Sequence, residues 1–303
     1  MIAYYTFSGE KDGKAVLNSQ ATSPKFGAMN GKVHGGARWA PGRFPQRSAL
    51  QFDGKNSGHY VSLGDGDSSN CNFTASFTIA AWFKATEFDV AHQVIVGKGD
   101  SAWRLQRDNE QHTLQLAMNN YLPPEASAAE KAAHPFGRIE GLTSVNDGKW
   151  HLAVGVYDFT GTRSTIPLYL DGQLEGVTKL GPPKQNQHPV TIGANSETLK
   201  RKEFRHWKGL IDEVVILNRP LKAADAVRRA ASGLGCDLHR NGRSSRLFRS
   251  SAGAVEGTLH SLPERGIVEP FQAEGFQTTL FRRVLSRSPR CDDLGLFRFG
   301  RSM

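Results

Sequence analysis

The most chemically informative residues in this sequence are two adjacent carboxylates, Asp212 and Glu213, within the apolar run KGLIDEVVIL at 208–217. Alternation along a strand would place Asp212 on one face and Glu213 on the other, each among aliphatic neighbours. A carboxylate in such surroundings needs a partner, because an unpaired buried charge is very costly. Three partners are open: a calcium ion, which collects oxygen ligands, an arginine, or backbone amides.

Catalytic arrangements are not indicated by the sequence. Hydrolysis of a glycosidic bond uses two carboxylates that face each other, about 5 Å apart in retaining enzymes. Alternate positions of one strand supply such a pair, as in E-x-D-x-E, whereas Asp212 and Glu213 are predicted to point apart. The sequence has no E-x-D-x-E run, no HExxH zinc motif and no GxSxG nucleophile elbow. We therefore expect a protein that is not an enzyme.

Aromatic and arginine side chains are the candidates for ligand binding, because sugar sites on proteins combine aromatic rings with guanidinium, amide or carboxylate groups. The candidates are Trp103, Arg104, Arg107 and Tyr121, with Trp207 as a fifth. A structural role is the alternative for each, since aromatic residues in strands usually fill the core.

The stretch from Val145 to Gly176 is predicted to be the centre of the fold. Residues 150–157 alternate at period 2, as a strand does when one face packs on a core, and residues 166–170 repeat that period. Asp171-Gly172 supplies the positive φ angles of a two-residue hairpin turn. Three consecutive antiparallel strands are therefore predicted.

Further strands are predicted on both sides of this stretch. They are Ile2–Phe7, Phe77–Lys84, Val94–Gly99, Trp103–Gln106, Thr113–Met118, Pro189–Ala194 and Lys208–Leu217. Trp82 is predicted to face away from Ile79, Ala81 and Phe83. Residues 8–36 are predicted to be a loop, residues 119–141 an inserted loop with one or two helical turns, and Leu221–Ala231 a short helix that ends before Gly233.

Several of these segments together resemble the laminin G-like domains of the concanavalin A-like jelly-roll group. They are YYTF at 4–7, WAPGRF at 39–44, ALQFDG at 49–54, YVSL at 60–63, FTIAAW at 77–82, DGKWHL at 147–152, LYLDG at 168–172 and GLIDEVVILNRPL at 209–221. The last is similar to the G-x-I-D-E-V-x-I-x-N-R-x-L ending of that family. The resemblance covers residues 2–233 and implies an antiparallel jelly-roll β-sandwich.

The resemblance also implies a structural calcium ion. Members of that family often bind one between an early loop and a late acidic residue, which here implies Asn18 and Asp212. This chain departs from the family pattern, because Asn18-Ser19-Gln20 stands where the family has an aspartate followed by S-G-N-G-N-D-G. Asn18 brings no charge, so an arginine or backbone amides remain alternative partners for Asp212.

Composition divides the chain near residue 233. Residues 1–233 hold 27 Lys and Arg against 22 Asp and Glu, whereas residues 234–303 hold 11 Arg, no Lys and 7 acidic residues. The second part is rich in arginine, serine and glycine with poor periodicity, which is typical of a disordered basic tail or of a reading-frame artefact. Its basic residues are neither clustered nor interleaved with stacking aromatics, so no nucleic-acid partner is predicted. We expect a domain at 1–233 and a tail at 234–303.

Neither a disulfide framework nor a zinc site is predicted, because Cys71, Cys236 and Cys291 are odd in number and form no CxxC pair. No apolar run approaches the roughly 18 residues of a membrane span. Residues 1–5 lack the basic start and apolar core of a signal peptide, so no export signal is expected within this chain.

The expected function is a non-catalytic binding or adhesion module for carbohydrate or a protein partner. One alternative is a structural accessory module of a larger, multidomain regulatory protein of the cell surface or envelope, and a glycoside hydrolase is a third and less favoured one. The resemblance implies an extracellular or cell-envelope location.

Overall fold

The computed structural model describes residues 3–7, 15–16, 29–64, 71–118, 127–129, 137–160, 163–180, 183–199 and 205–225. Within these residues the chain forms 16 strands in two antiparallel sheets, so the predicted all-β sandwich is confirmed. The strands are β1 (Ala3–Tyr5), β2 (Ala15–Val16), β3 (Gly31–His34), β4 (Arg38–Pro41), β5 (Ser48–Asp53), β6 (Tyr60–Leu63), β7 (Phe77–Lys84), β8 (Val94–Gly97), β9 (Arg104–Arg107), β10 (Leu114–Met118), β11 (Gly137–Glu140), β12 (Trp150–Thr160), β13 (Arg163–Leu170), β14 (Gln173–Leu180), β15 (Thr191–Ile192) and β16 (Lys208–Leu217).

The order of strands brings distant parts of the chain together. Sheet A runs β14-β13-β12-β7-β16-β5-β4, and β1 pairs with β16. Sheet B runs β11-β10-β9-β8-β15-β6-β3-β2. The late strand β16 therefore lies in the middle of sheet A, between β7 and β5, where its two carboxylates meet residues from the first third of the chain.

The core lies between the two sheets. Strand β7 sends Phe77, Ile79, Ala81 and Phe83 inward, and Trp82 lies on the outer face, as predicted. The Phe77 ring stacks on the Tyr157 ring with centroids 4.1 Å apart. Sheet B faces them with Val61, Leu63, Ile95, Trp103, Leu105, Leu116 and Ile192, all fully or almost fully buried.

The predicted central meander is confirmed as β12, β13 and β14. Asp171 and Gly172 have φ angles of 50° and 84°, so both central residues of the hairpin turn are left-handed. The expectation of one buried face per strand holds only in part. Ala153 and Tyr157 of β12 lie in the core, and Leu152, Val154 and Val156 on the other face are buried as well.

Short strands appear where loops were predicted. Strands β2 and β3 fall within residues 8–36, and β11 falls within residues 119–141 and pairs with β10. These segments have two to four residues, too few for a period to be recognised, so pairing with a neighbour decides their state. Residues 128–129 and 223–225 are helical, within the predicted helical turns and the predicted short helix.

Several predictions lie outside the described residues. These are the end of the short helix, the tail at 234–303, and Asn18, Tyr121, Cys236 and Cys291. In the part of the chain that is described, no helix is long and apolar enough to cross a membrane.

Candidate functional site

Polar side chains cover the outer face of sheet B, and we call this surface the polar face. Its members alternate with core residues along each strand and lie side by side across the sheet. They are Arg138 and Glu140 of β11, Gln115 of β10, Arg104 and Gln106 of β9, Thr191 of β15, Tyr60 and Ser62 of β6, and Lys32 and His34 of β3. Seven strands thus contribute to the polar face if β8 is included, where Gly97 leaves room for Arg104: a Cβ at Gly97 would lie 2.7 Å from the Arg104 Cβ. Its central side chains, Arg104, Gln106, Gln115 and Thr191, are buried, so solvent reaches the face at its two sides and its rim.

The His92 imidazole fixes two amides of this face. Its Nδ1 lies 3.2 Å from Gln106 Nε2, 3.1 Å from Gln115 Nε2 and 3.2 Å from the Asn109 backbone N. A backbone N–H can only donate, so Nδ1 is the acceptor and Nε2 carries the proton. Burial, followed by the nearby Arg205 and Arg104 charges, lowers the pKa of His92 to about 4. His92 is therefore neutral at physiological pH, and its backbone φ of 54° is left-handed.

Asp100 joins two arginines at the rim of the polar face. Its Oδ1 accepts hydrogen bonds from Arg205 Nη1 at 2.5 Å and from Asn195 Nδ2 at 2.6 Å, and lies 3.3 Å from Arg104 Nε. Its backbone N–H donates to Glu197 Oε2 at 2.9 Å. Asp100, Arg205 and Glu197 are each partly exposed, so charged groups of both signs reach solvent here.

An aromatic pair lies at the other side of the same face. The rings of His34 and Tyr60 are stacked with centroids 4.3 Å apart and planes 8° apart. His34 Nε2 lies 2.8 Å from the Ser62 hydroxyl. Both rings are half-buried, so part of each faces solvent.

The carboxylates of β16 lie in sheet A at a β-bulge. Asp212 pairs with Trp82 and Val215 with Ala80, so β16 has one residue more than β7 between these pairs. Glu213 sits in the bulge with a φ of 46°. The prediction that Asp212 and Glu213 point to opposite faces is wrong, because the extra residue changes the alternation and leaves both on the outer face, next to Arg43.

Two arginines hold this pair, and we call the group the arginine clamp. Glu213 accepts hydrogen bonds from Arg43 Nη2 at 3.2 Å, Arg47 Nη1 at 3.0 Å and the Tyr4 hydroxyl at 3.1 Å. Asp212 Oδ2 accepts one from the Arg43 backbone N at 3.3 Å. The Arg43 guanidinium also lies 3.9 Å from the centre of the Trp82 ring, so it closes the outer face over β7.

Asp212 is the less well paired of the two carboxylates. Its Oδ1 has no hydrogen-bond partner among the described residues. Burial raises the pKa of Asp212 to about 7, the Glu213 charge adds to the rise, and the hydrogen bond from the Arg43 backbone opposes it. With both carboxylates fully buried and Glu213 paired to two arginines, this pair offers no surface to a substrate.

The described surroundings of Asp212 do not by themselves fit a calcium ion. They provide a single unpaired carboxylate oxygen and a guanidinium, and the described residues contain no group of three acidic, histidine or cysteine ligands able to hold a metal. Asn18 lies outside these residues, so the calcium site stays a prediction. A calcium-dependent rise in melting temperature that Asp212→Asn abolishes supports it, and a temperature indifferent to calcium and to chelator removes it.

A family model matches residues 53–226, and its description is the concanavalin A-like lectin/glucanases superfamily, of the laminin G type. The chain belongs to this superfamily. The match covers more than half of the chain, and it confirms the resemblance that the sequence motifs indicate. A search of the curated proteins finds no matching sequence.

Solved structures are similar to this superfamily member at low sequence identity. The binding domain of botulinum neurotoxin DC in complex with rat synaptotagmin II aligns with a TM-score of 0.50 and 13% identity over 75% of this chain and 50% of that one. Domain 4 of AbnA, an extracellular arabinanase from Geobacillus stearothermophilus, in complex with arabinotriose, aligns with a TM-score of 0.49 and 15% identity over 76% and 97%. This chain thus spans half the length of the neurotoxin domain.

The residues that the sequence predicts for ligand binding lie in different parts of this superfamily member. Trp103 is fully buried in the core and donates from Nε1 to the Cys71 carbonyl at 3.0 Å, and Trp207 is fully buried too. Arg107 is turned to backbone carbonyls, with Nε 2.7 Å from Gln111 O and Nη1 2.6 Å from Val90 O. Arg104 is part of the polar face, so it is the one candidate that the described structure joins to other polar groups of that surface.

Several residues of the polar face, and residues next to it or at its rim, were not predicted from the sequence. His34, Tyr60, His92, Gln106, Gln115 and Arg205 come from separate strands and loops. A signal exists within β9 and β10, where RLQR and LQLAM alternate polar and apolar residues. The order of strands in the sheet decides which polar side chains become neighbours, and no local sequence pattern contains that order.

Proposed function

We propose that this protein is a non-catalytic binding module that recognises carbohydrate through the polar face of sheet B. The observation that carries the proposal is the preorganised network of Arg104, Gln106, Gln115 and His92, which leads to the partly exposed Arg205 at the rim. Groups held in place by hydrogen bonds lose little conformational entropy when a ligand binds.

The chemistry of this surface suits a sugar. Hydroxyl groups of a sugar both donate and accept hydrogen bonds, and the rim offers carboxylate acceptors on Asp100 and Glu197 beside guanidinium donors on Arg205. The half-buried ring of Tyr60, stacked on His34, adds an aromatic surface for the apolar face of a sugar ring. Membership of a superfamily of lectins and glucanases supports the same class of ligand.

A binding role without catalysis is favoured by the state of the acidic residues. Asp212 and Glu213 are the one acidic pair that the sequence offers in an apolar strand, and both are buried beneath the arginine clamp. Incubation with β-glucans tests this part directly, since release of reducing sugar that Glu213→Gln abolishes would contradict it.

A glycan array with the full chain tests the proposed function. We expect binding to at least one glycan, and a loss of about tenfold in affinity for Arg205→Ala and for Tyr60→Ala, the value of one or two hydrogen bonds or one stacking contact. Lys149→Ala is the matched control, because this side chain is 76% exposed at the start of β12 in the other sheet. Equal losses in all three variants, or glycan binding that Arg205→Ala and Tyr60→Ala leave unchanged, would overturn the assignment to the polar face.

A further inference from the structure

Two carboxylates at the rim of the polar face each leave one oxygen open to solvent. Asp100 uses Oδ1 for its side-chain bonds within the protein, to Arg205 Nη1 and Asn195 Nδ2. Glu197 uses Oε2, which accepts from the backbone N of Asp100 at 2.9 Å and from the backbone N and hydroxyl of Ser101, each at 3.1 Å. Asp100 Oδ2 and Glu197 Oε1 form no hydrogen bond with the described residues, and neither is a buried unpaired atom. Both oxygens are therefore accessible acceptors.

The groups that carry these oxygens are held in fixed positions. Gly99, with a φ of 75°, brings the backbone beside Glu197, since a Cβ at Gly99 would lie 2.9 Å from Glu197 Oε2. Both ends of the Asn195 amide are engaged, because Nδ2 donates to Asp100 Oδ1 and Oδ1 accepts from the Glu197 backbone N at 3.0 Å. The two open oxygens are thus placed before a ligand arrives, which lowers the entropy cost of binding.

The guanidinium groups at this rim are already paired with Asp100. Arg205 Nη1 lies 2.5 Å from Asp100 Oδ1. Arg104 Nε lies 3.3 Å from the same oxygen, and Arg104 Nη1 donates to the Asp100 carbonyl at 2.6 Å, with only 6% of the Arg104 side chain exposed. An acidic sugar would therefore meet positive charges that a carboxylate already compensates, beside two further carboxylate oxygens. Like charges placed next to each other repel, so this arrangement disfavours an anion.

The exposed Lys32 on the same face is too far away to change this balance. Lys32 pairs with Ser62 across β3 and β6. Ser62 pairs with Thr191, which in turn pairs with Gly97 at the end of β8, just before the rim. Three strand spacings of about 4.8 Å separate Lys32 from Gly97 by roughly 14 Å. Charges at that distance are largely screened, because the Debye length is about 8 Å at physiological ionic strength.

We propose that Asp100 and Glu197 are the specificity-determining residues of the rim, and that they select neutral sugar units over acidic ones. The selection presupposes the glycan site on the polar face and adds the class of sugar that this site takes. A sugar hydroxyl donates to Asp100 Oδ2 or Glu197 Oε1 and accepts from a remaining N–H of Arg205. A sugar carboxylate has no proton to donate and is repelled by both acidic residues.

An array of matched glycan pairs tests the selection with the full chain. In each pair, one hexose unit of a neutral glycan is replaced by the corresponding uronic acid. We expect the neutral member to bind about tenfold more tightly. Asp100→Asn keeps the shape of the side chain and removes its charge, so we expect about tenfold weaker binding of the neutral member and a loss of most of the preference, because hydrogen bonds to charged groups are the stronger ones.

Asp53→Asn is the matched control. Asp53 also pairs with an arginine, Arg38, at 2.8 Å, but it lies on β5 in sheet A. This variant is expected to leave both the affinity and the preference unchanged. Melting temperatures show that each variant is folded, and Glu197→Gln, which removes the charge of the second open carboxylate, replaces Asp100→Asn if that variant does not fold.

The outcomes separate the selection from the glycan site itself. A wild-type chain that binds the acidic members equally well or better, or a neutral preference that the carboxylate variants leave unchanged, would overturn the selection. If Arg205→Ala weakens that same binding, the glycan site stands without the selection. A wild-type chain that binds no glycan of either kind would overturn both.

Discussion

The outer faces of the two sheets lie on either side of one core, yet they have opposite chemistry. The outer face of sheet A buries apolar side chains from β1, β7, β12 and β16, and the arginine clamp closes over it. These side chains are Tyr4, Trp82, Leu152, Val154, Val156, Val215 and Leu217. The outer face of sheet B buries Arg104, Gln106, Gln115 and Thr191 instead, within a hydrogen-bonded network.

The difference shows that burial alone does not identify a functional face. Apolar groups are stable when covered, whereas buried polar groups require partners of fixed geometry. On the outer face of sheet A the buried carboxylates, Asp212 and Glu213, lie at the bulge and hold residues 43 and 47 of the preceding turn. On sheet B the polar groups extend across the sheet to a charged rim, where some of them remain open to solvent.

The largest effect is expected on sheet A. Arg43→Ala removes one of the two positive charges paired with the buried Glu213 carboxylate and uncovers the Trp82 ring. We therefore expect a loss of about 3 kcal/mol in the free energy of unfolding. Urea denaturation measures it. Arg47→Ala is the matched control: this side chain is 38% exposed, and its loss is expected to cost about 1 kcal/mol. Similar losses in both variants would contradict the role of Arg43 in closing the face.

A smaller effect on stability is expected on sheet B, together with an effect on binding. Gln106→Leu removes the acceptor of Arg104 Nε, 3.0 Å away, and one donor to His92. The loss of two hydrogen bonds within this buried network costs about 2 kcal/mol. Gln106→Leu is also expected to weaken glycan binding, whereas Arg43→Ala is expected to leave glycan binding unchanged. Lys32→Gln, exposed on the same face, is expected to change stability by less than about 0.5 kcal/mol.

The smallest expected effect is the dependence of stability on pH. It again distinguishes the two sheets, because it comes from His151 in sheet A. Burial alone would lower the pKa of His151 in β12, but hydrogen bonds to Asp171 at 2.7 Å and Asp147 at 3.0 Å outweigh it and raise the pKa. At a pH between the unfolded-state and the folded-state pKa of His151, the folded protein therefore keeps a proton on this imidazole that the unfolded chain has released. This stabilisation is complete below the unfolded pKa of about 6.5 and is lost as pH rises through the folded-state pKa.

Denaturation at a series of pH values measures this loss. His151→Asn is expected to flatten the profile, and a wild-type stability that rises over the same interval would contradict the assignment. His34 on the polar face and His92 next to it have lowered pKa values, by burial first and nearby positive charges second, so they stay neutral above pH 7. Above pH 7, glycan binding is therefore expected to stay constant, whereas the free energy of unfolding is expected to fall.

The two sheets were predictable to different degrees. Most of sheet A was predictable, because β7, β12 and β13 are long enough to show period 2, β16 carries a motif that resembles the family's, and the Asp171-Gly172 turn is encoded by two residues. The bulge in β16 was not, although a signal exists: strict alternation would have placed one of two adjacent acids in the core. Strands β2, β3 and β11 are too short to carry a pattern, so their pairing depends on their neighbours.

By itself, the sequence determined the fold class, the superfamily and the strands at the centre of sheet A, since these depend on local alternation, turn residues and recognisable motifs. Only the tertiary structure decided that Asp212 and Glu213 share a face beneath Arg43, that Trp103 lies in the core, and that side chains of distant strands form the polar face. The physical reason is that hydrogen-bond partners and neighbours across a sheet are set by strand order and register, which join residues far apart in the chain.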